Sequence, residues 1–160
     1  MASNLNFSTH HVGYLVSDIA QAVPRFTDRL DYRVESGIIE DPVQTAYVQF
    51  LRQPGALEWM ELIAPTGESS KLTRALRQGG GLHHLCYEVN DMDRACAHLR
   101  DHEMLALSAP VPAAAFPGRR IAWFMDRFRG LVELLEQGDG ALSLNGLRRA
   151  TGHAGEPGAA

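Results

Sequence analysis

Two histidines and two glutamates stand at matching places in the two halves of this chain, His11 with Glu61 and His84 with Glu133. His11 precedes Glu61 by 50 residues and His84 precedes Glu133 by 49. Each histidine belongs to a double histidine that opens an apolar run, "THHVGYLV" and "LHHLCYEV". Each glutamate interrupts an apolar stretch, "WMELIA" and "LVELLE". Carboxylates rarely sit among apolar neighbours unless they are paired or bound to a cation. Two imidazoles and two carboxylates at one point form a ligand set for one divalent metal ion, with Co, Zn, Ni, Mn and Fe(II) all compatible. Water or substrate would complete the coordination of an ion that prefers five or six neighbours.

The elements that must bring these four together are written as a repeat. With His10 laid on His83, the pairs His10/His83, His11/His84, Tyr14/Tyr87, Val16/Val89, Asp18/Asp91, Ala22/Ala95 and Asp28/Asp101 give seven identities in one register. That is the mark of a duplicated module. Each copy opens as a strand, because Val12, Tyr14, Val16 and Leu85, Tyr87, Val89 alternate with residues of another kind. The alternation puts His11 and His84 on the face of Gly13, Cys86 and Glu88, and His10 and His83 on the Val/Leu/Tyr face or at its edge. His11 and His84 are therefore the expected ligands.

Ser17 or Asp18, and Asn90 or Asp91, stand where helix caps belong. Helical spacing follows in both copies, with Pro24 expected to kink the first helix or delay its start. Strands are expected over 32–39, 45–51 and 58–63, then over 105–109, 120–126 and 131–136. "GESSKLTRALRQGGG" reads as a capped short helix ending in glycines. The expected fold is α+β, two βαβββ modules in tandem forming a cupped mixed sheet around a metal site. One domain over 1–137 would hold module one at about 8–65, a linker at about 66–80 and module two at about 81–137. The remaining 138–160 read as a disordered tail with a turn or two of helix near Leu142–Arg149.

Composition narrows the partners. A net charge of −4 offers no footprint for nucleic acid or anionic membrane. No apolar run is long enough to span a bilayer. The N-terminus lacks the pattern of a secretory signal, and the two cysteines have neither metal nor redox spacing. A cytoplasmic protein with reduced thiols is expected.

"HHVGYLVSDI", "MELIAPTGESS", "GGGLHHLCYEVNDMDRA" and "GLVELLE" resemble the vicinal oxygen chelate superfamily, which includes glyoxalases, bleomycin-resistance proteins, extradiol dioxygenases and methylmalonyl-CoA epimerases. The similarity runs from about Ser8 to Gln137 and is greatest to the epimerases. It implies that His11, Glu61, His84 and Glu133 fall on the family's metal ligands. It also implies an enolate-forming isomerase or epimerase acting on an α-substituted carbonyl compound such as an acyl-CoA. Glu133 and Glu61 are the implied catalytic carboxylates. A further glutamate of the epimerases aligns with Gln44 or Thr45 in "DPVQTAYVQF", where no carboxylate stands; Glu40 and Asp41 lie just upstream. Arg119 and Arg120 read either as contacts for a substrate phosphate or carboxylate, or as solvated charges. A homodimer is implied as well. The alternatives are a glyoxalase-type lyase, a non-haem Fe(II) dioxygenase, and a non-catalytic small-molecule-binding protein of the same fold.

Overall fold

The computed structural model describes residues 4–151. Module one runs β1 (Phe7–Leu15), α1 (Ile19–Leu30), β2 (Arg33–Val34), β3 (Ile39–Asp41), β4 (Ala46–Arg52) and β5 (Trp59–Pro65). A short α2 (Thr73–Arg77) leads to module two: β6 (Gly81–Val89), α3 (Met92–Asp101), β7 (Leu105–Ala106), β8 (Val111–Pro112), β9 (Arg120–Met125) and β10 (Leu131–Glu136). Helix α4 (Leu144–Thr151) closes the described chain. The ten strands of the described residues join one sheet in the order β2-β4-β5-β1-β6-β10-β9-β7, with β3 on β4 and β8 on β9. The duplication is visible in the pairing. Strands β1 and β6 run antiparallel at the centre, β5 lies parallel to β1, and β10 lies parallel to β6.

Local chemistry accounts for the boundaries. Asp18 and Asp91, rather than Ser17 and Asn90, cap α1 and α3, each carboxylate accepting a backbone N–H from the first turn at 3.0 Å. Helix α1 passes through Pro24 without a late start. The strand expected over 32–39 is broken in two, because the Ser36 hydroxyl accepts the Phe50 N–H at 2.9 Å and turns the chain at Ser36–Gly37. Helix α2 has no side-chain cap, contrary to expectation, and its end runs into Gly79, Gly80 and Gly81, all at positive φ.

The strand period sorts side chains onto two faces of the sheet. Even-numbered Met60 and Leu62 of β5 meet α1, and Val132 and Leu134 of β10 meet α3. Odd-numbered Trp59, Ile63 and Leu135 turn to the opposite face, where they pack with Phe50, Phe116 and Leu144. Glu61 and Glu133 belong to this second face. Each fully buried side chain, such as Phe50 or Leu135, contributes about 1.5–3 kcal/mol to holding it. The stretch from 138 onward contains α4, whose Leu144 is buried in the same core together with Ser143. Residues 152–160 lie outside the described residues.

Candidate metal centre

Four strands at the centre of the sheet carry the four residues in two adjacent rows. Glu61 of β5, Gly13 of β1 and His84 of β6 are cross-strand partners; so are His11 of β1, Cys86 of β6 and Glu133 of β10. In each row a small residue separates the histidine from the glutamate, and the two rows are related by the duplication. A Cβ on Gly13 would overlap the His84 imidazole. The glycine makes room for the ring rather than serving a turn.

The side chains converge. His11 Nε2 lies 3.3 Å from Glu61 Oε2 and 3.2 Å from Glu133 Oε2. His84 Nε2 lies 3.3 Å and 3.1 Å from the same two oxygens, and the two Nε2 atoms are 3.1 Å apart. All four residues are buried. Ligands that share one ion at about 2.0–2.3 Å stand about 3.2 Å apart at neighbouring coordination positions, so the donor set and its spacing fit a single divalent cation. Burial would drive both carboxylates to the neutral form, yet hydrogen bonds and charge from His11 and His84 overcome it and hold Glu61 and Glu133 below the usual carboxylate range. The converse holds for His84: burial opposes its cation, but Glu133 and Glu61 raise its pKa.

Both double histidines contain a β-bulge. Between Thr9↔Tyr87 and His11↔Cys86 the extra residue on β1 is His10; between Gly13↔His84 and Tyr14↔Leu82 the extra residue on β6 is His83. A bulge cancels the strict alternation of faces. His10 and His83 therefore do not stay on the face that alternation assigned them, but lie beside their neighbours. His10 Nδ1 is 2.8 Å from His11 Nδ1, and His83 Nδ1 is 2.9 Å from His84 Nδ1. Burial and the adjacent imidazole depress His10 to about 3 and His83 to about 4.

A cavity of about 360 Å³ opens onto Glu61, His84 and Glu133. Its walls are largely apolar, including Val48, Ile63, Leu107, Phe116, Ile121 and Trp123, with Asp41, Gln44, Lys71, His83 and Ser108 as polar points. The arrangement is that of a charged floor under an apolar sleeve.

A family model for the Glyoxalase/Bleomycin resistance protein/Dioxygenase superfamily matches residues 10–124. The chain belongs to this superfamily. Among relatives of this superfamily member is the ethylmalonyl-CoA/methylmalonyl-CoA epimerase of Cereibacter sphaeroides, 30% identical over 132 residues that cover 80% of this chain and 96% of that one. The mitochondrial methylmalonyl-CoA epimerase of Mus musculus is 31% identical over 101 residues, 62% of this chain and 55% of the mouse protein. The crystal structure of methylmalonyl-CoA epimerase from Mycobacterium tuberculosis superposes with a TM-score of 0.73 at 27% identity, covering 81% of this chain and 87% of that one.

The other residues singled out from sequence are placed as follows. Gln44 lines the cavity. Thr45 does not: its hydroxyl donates to the Gln44 carbonyl at 2.6 Å and accepts the Lys71 N–H at 2.9 Å, tying β4 to the linker. Arg119 is buried away from the cavity, with Nη2 2.6 Å from Glu88 Oε2 and its ring of contacts completed by the Glu136 and Leu142 carbonyls. Arg120 pairs with Glu136 at 2.7 Å and Asp93 at 3.3 Å. Both arginines hold the fold and stand outside the cavity lining. Sequence reading did not foresee Lys71, Ser108 or Phe116 in that lining, since all three come from loops or from a helix entry whose course the apolar period does not specify.

Proposed function

We propose that this chain is a divalent-metal-dependent epimerase or isomerase that exchanges the proton on the carbon next to the carbonyl of an acyl thioester, with His11, Glu61, His84 and Glu133 holding the ion. The observation that carries this reading is the convergence of four buried ligand atoms beneath an apolar cavity. The relatives that act on methylmalonyl-CoA and ethylmalonyl-CoA support the substrate class.

A divalent ion held by His11, Glu61, His84 and Glu133 would supply positive charge to a substrate carbonyl oxygen. The chain's own residues do the rest. Apolar walls exclude water from the reacting carbon, and Gln44 offers an amide to a polar substrate group. Glu61 and Glu133 both turn Oε2 toward the histidines, which leaves each Oε1 for a proton. They come from opposite modules, so one can take the proton from one face of the substrate while the other returns it to the opposite face. With Gln44 in the cavity instead of a carboxylate, this pair is the acid/base set we assign. Asp41 is the other carboxylate in the lining, but its Oδ1 is held by the Val43 and Gln44 N–H groups at 3.0 and 2.9 Å.

Both cysteines, Cys86 and Cys96, are free and buried, in keeping with the cytoplasmic setting we propose. Among the described residues no helix is long and apolar enough to cross a membrane. A homodimer is part of the same proposal, and sedimentation velocity tests it.

The deciding experiment is elemental analysis of tag-free protein beside His84→Ala and Glu133→Ala, followed by NMR of methylmalonyl-CoA and ethylmalonyl-CoA in D₂O. One equivalent of metal, lost in both variants, together with deuterium entering the α-carbon, is the expected result. Metal without exchange on either thioester would overturn the epimerase reading. A protein that takes up no metal after exposure to Co, Ni, Mn, Zn and Fe(II) would leave the non-catalytic binding protein as the better reading.

A further inference from the structure

The duplicated bulges explain why the histidines come in pairs. His11 Nε2 and His84 Nε2 face the two glutamates, so a metal ion would take those atoms and the ring protons would reside on Nδ1. One proton assignment then satisfies the contacts within both histidine pairs. His11 Nδ1–H donates to His10 Nδ1 across 2.8 Å, and His10, protonated at Nε2, donates to the Leu142 carbonyl across 2.7 Å. In module two His84 Nδ1–H donates to His83 Nδ1 across 2.9 Å. His83 Nε2 has no protein partner among the described residues, and the ring borders the cavity.

We propose that His10 and His83 are positioning residues for the metal ligands: each is a neutral imidazole, placed by a β-bulge, that accepts the Nδ1–H of the following histidine and fixes its Nε2 as the coordinating atom. This rests on the metal reading above. Fixing the tautomer and ring angle of a ligand histidine through its second nitrogen tightens metal binding. The two copies differ at their far ends. His10 is wedged between Trp59, stacked at 4.7 Å, and Phe116, edge-on at 5.4 Å, and anchors on Leu142 ahead of α4. The C-terminal segment is thereby joined to ligand His11 through one ring. His83 has no such anchor and presents its free N–H to whatever fills the cavity.

The test compares full-length wild type with His10→Gln and His10→Phe by cobalt(II) titration against a competing chelator, recording the visible ligand-field spectrum. Circular dichroism melts of the metal-free proteins accompany it. Glutamine can accept the His11 Nδ1–H and also donate to Leu142, whereas phenylalanine keeps the stacking and loses both hydrogen bonds. The expected result is a dissociation constant raised about tenfold or more and a shifted spectrum in His10→Phe, with His10→Gln within about threefold of wild type. Two variants that bind cobalt alike, whether both like wild type or both weakened with their melting temperatures, would overturn the proposal while leaving the metal site standing. A wild type that takes up no cobalt would remove the metal reading, and this inference with it. The same pair of substitutions at His83 repeats the test in module two.

Discussion

Gly13 lies beneath the His84 imidazole, so closely that even a methyl group at this position would occupy the space of the ring. Its counterpart by the duplication is Cys86, which stands between His11 and Glu133 in the same way. Both central strands place a small residue between the histidine and the glutamate contributed by their neighbours.

Gly13→Ala is therefore expected to push His84 out of the cluster. Overpacking of this kind costs about 1–3 kcal/mol of stability. The displacement should also lower cobalt affinity, and a chelator competition alongside a denaturant melt will read both. A variant with wild-type affinity would show that the ring has somewhere else to go.

The effect of pH on metal-free protein follows from the cluster's charges. The His84 pKa is raised above 6.5 by Glu133 and Glu61, so stability from its cation is full below 6.5 and is lost as pH climbs through the raised value. Glu61 and Glu133 are lowered from 4.5, so their share is full above 4.5 and disappears on acidification through the lowered values. Divalent ions need neutral histidines and compete with those protons. The rise in melting temperature on adding zinc should hence grow as pH climbs from about 6.5 through the raised His84 value. Differential scanning fluorimetry across that range measures it, and a flat or falling difference would contradict this assignment of charge.

Replacing one glutamate at a time separates the two faces of the proposed reaction. Glu133→Gln and Glu61→Gln should each lower epimerisation about 10²-fold or more, yet leave exchange of the α-proton in one epimer faster than its conversion to the other. Proton NMR in D₂O with each epimer of methylmalonyl-CoA supplies both rates. With metal content unchanged, loss of both exchange and epimerisation in one variant and of neither in the other would mean that a single carboxylate serves both faces.

Arg119 and Glu88 form a buried pair at 2.6 Å, and the Leu144 N–H also donates to Glu88 Oε2 at 3.4 Å. Removing one partner of such a pair costs about 3–5 kcal/mol. Arg119→Met should destabilise the protein by about that much in urea melts, and should loosen the Leu142 carbonyl that Arg119 and His10 share. A small change would show that water replaces the guanidinium.

Much of this was legible before the fold was known, because periodic signals survive duplication. The recurrence of His11 with His84 and of Glu61 with Glu133 located the cluster, and Asp18 and Asp91 marked both helix starts. The bulges were not legible. A period-two reading has no sign for an inserted residue, and it sent His10 and His83 to the wrong face. Arg119 misled for a different reason: "GRR" at a strand start looks solvent-facing, but the Glu88 carboxylate meets the Arg119 guanidinium at 2.6 Å and draws it inward. The cavity wall was out of reach, since it is assembled from loops such as the one carrying Phe116. The Ser143–Leu144 contact with the core was equally hidden, because two residues in a Gly-rich stretch carry no period at all.

The order of the parts along the chain has a consequence for synthesis. His11 emerges from the ribosome first, Glu133 far later, and the Leu142 carbonyl that anchors His10 later still. Domains fold as units once their sequence is available, and here neither module owns a complete set of ligands. A half-made chain presents one histidine and one glutamate of the cluster, so an ion held by all four residues would load only after both modules have paired through β1 and β6. The duplication would thus act as a checkpoint in time: an ion that needs all four residues could be held only by a chain whose two modules are both complete.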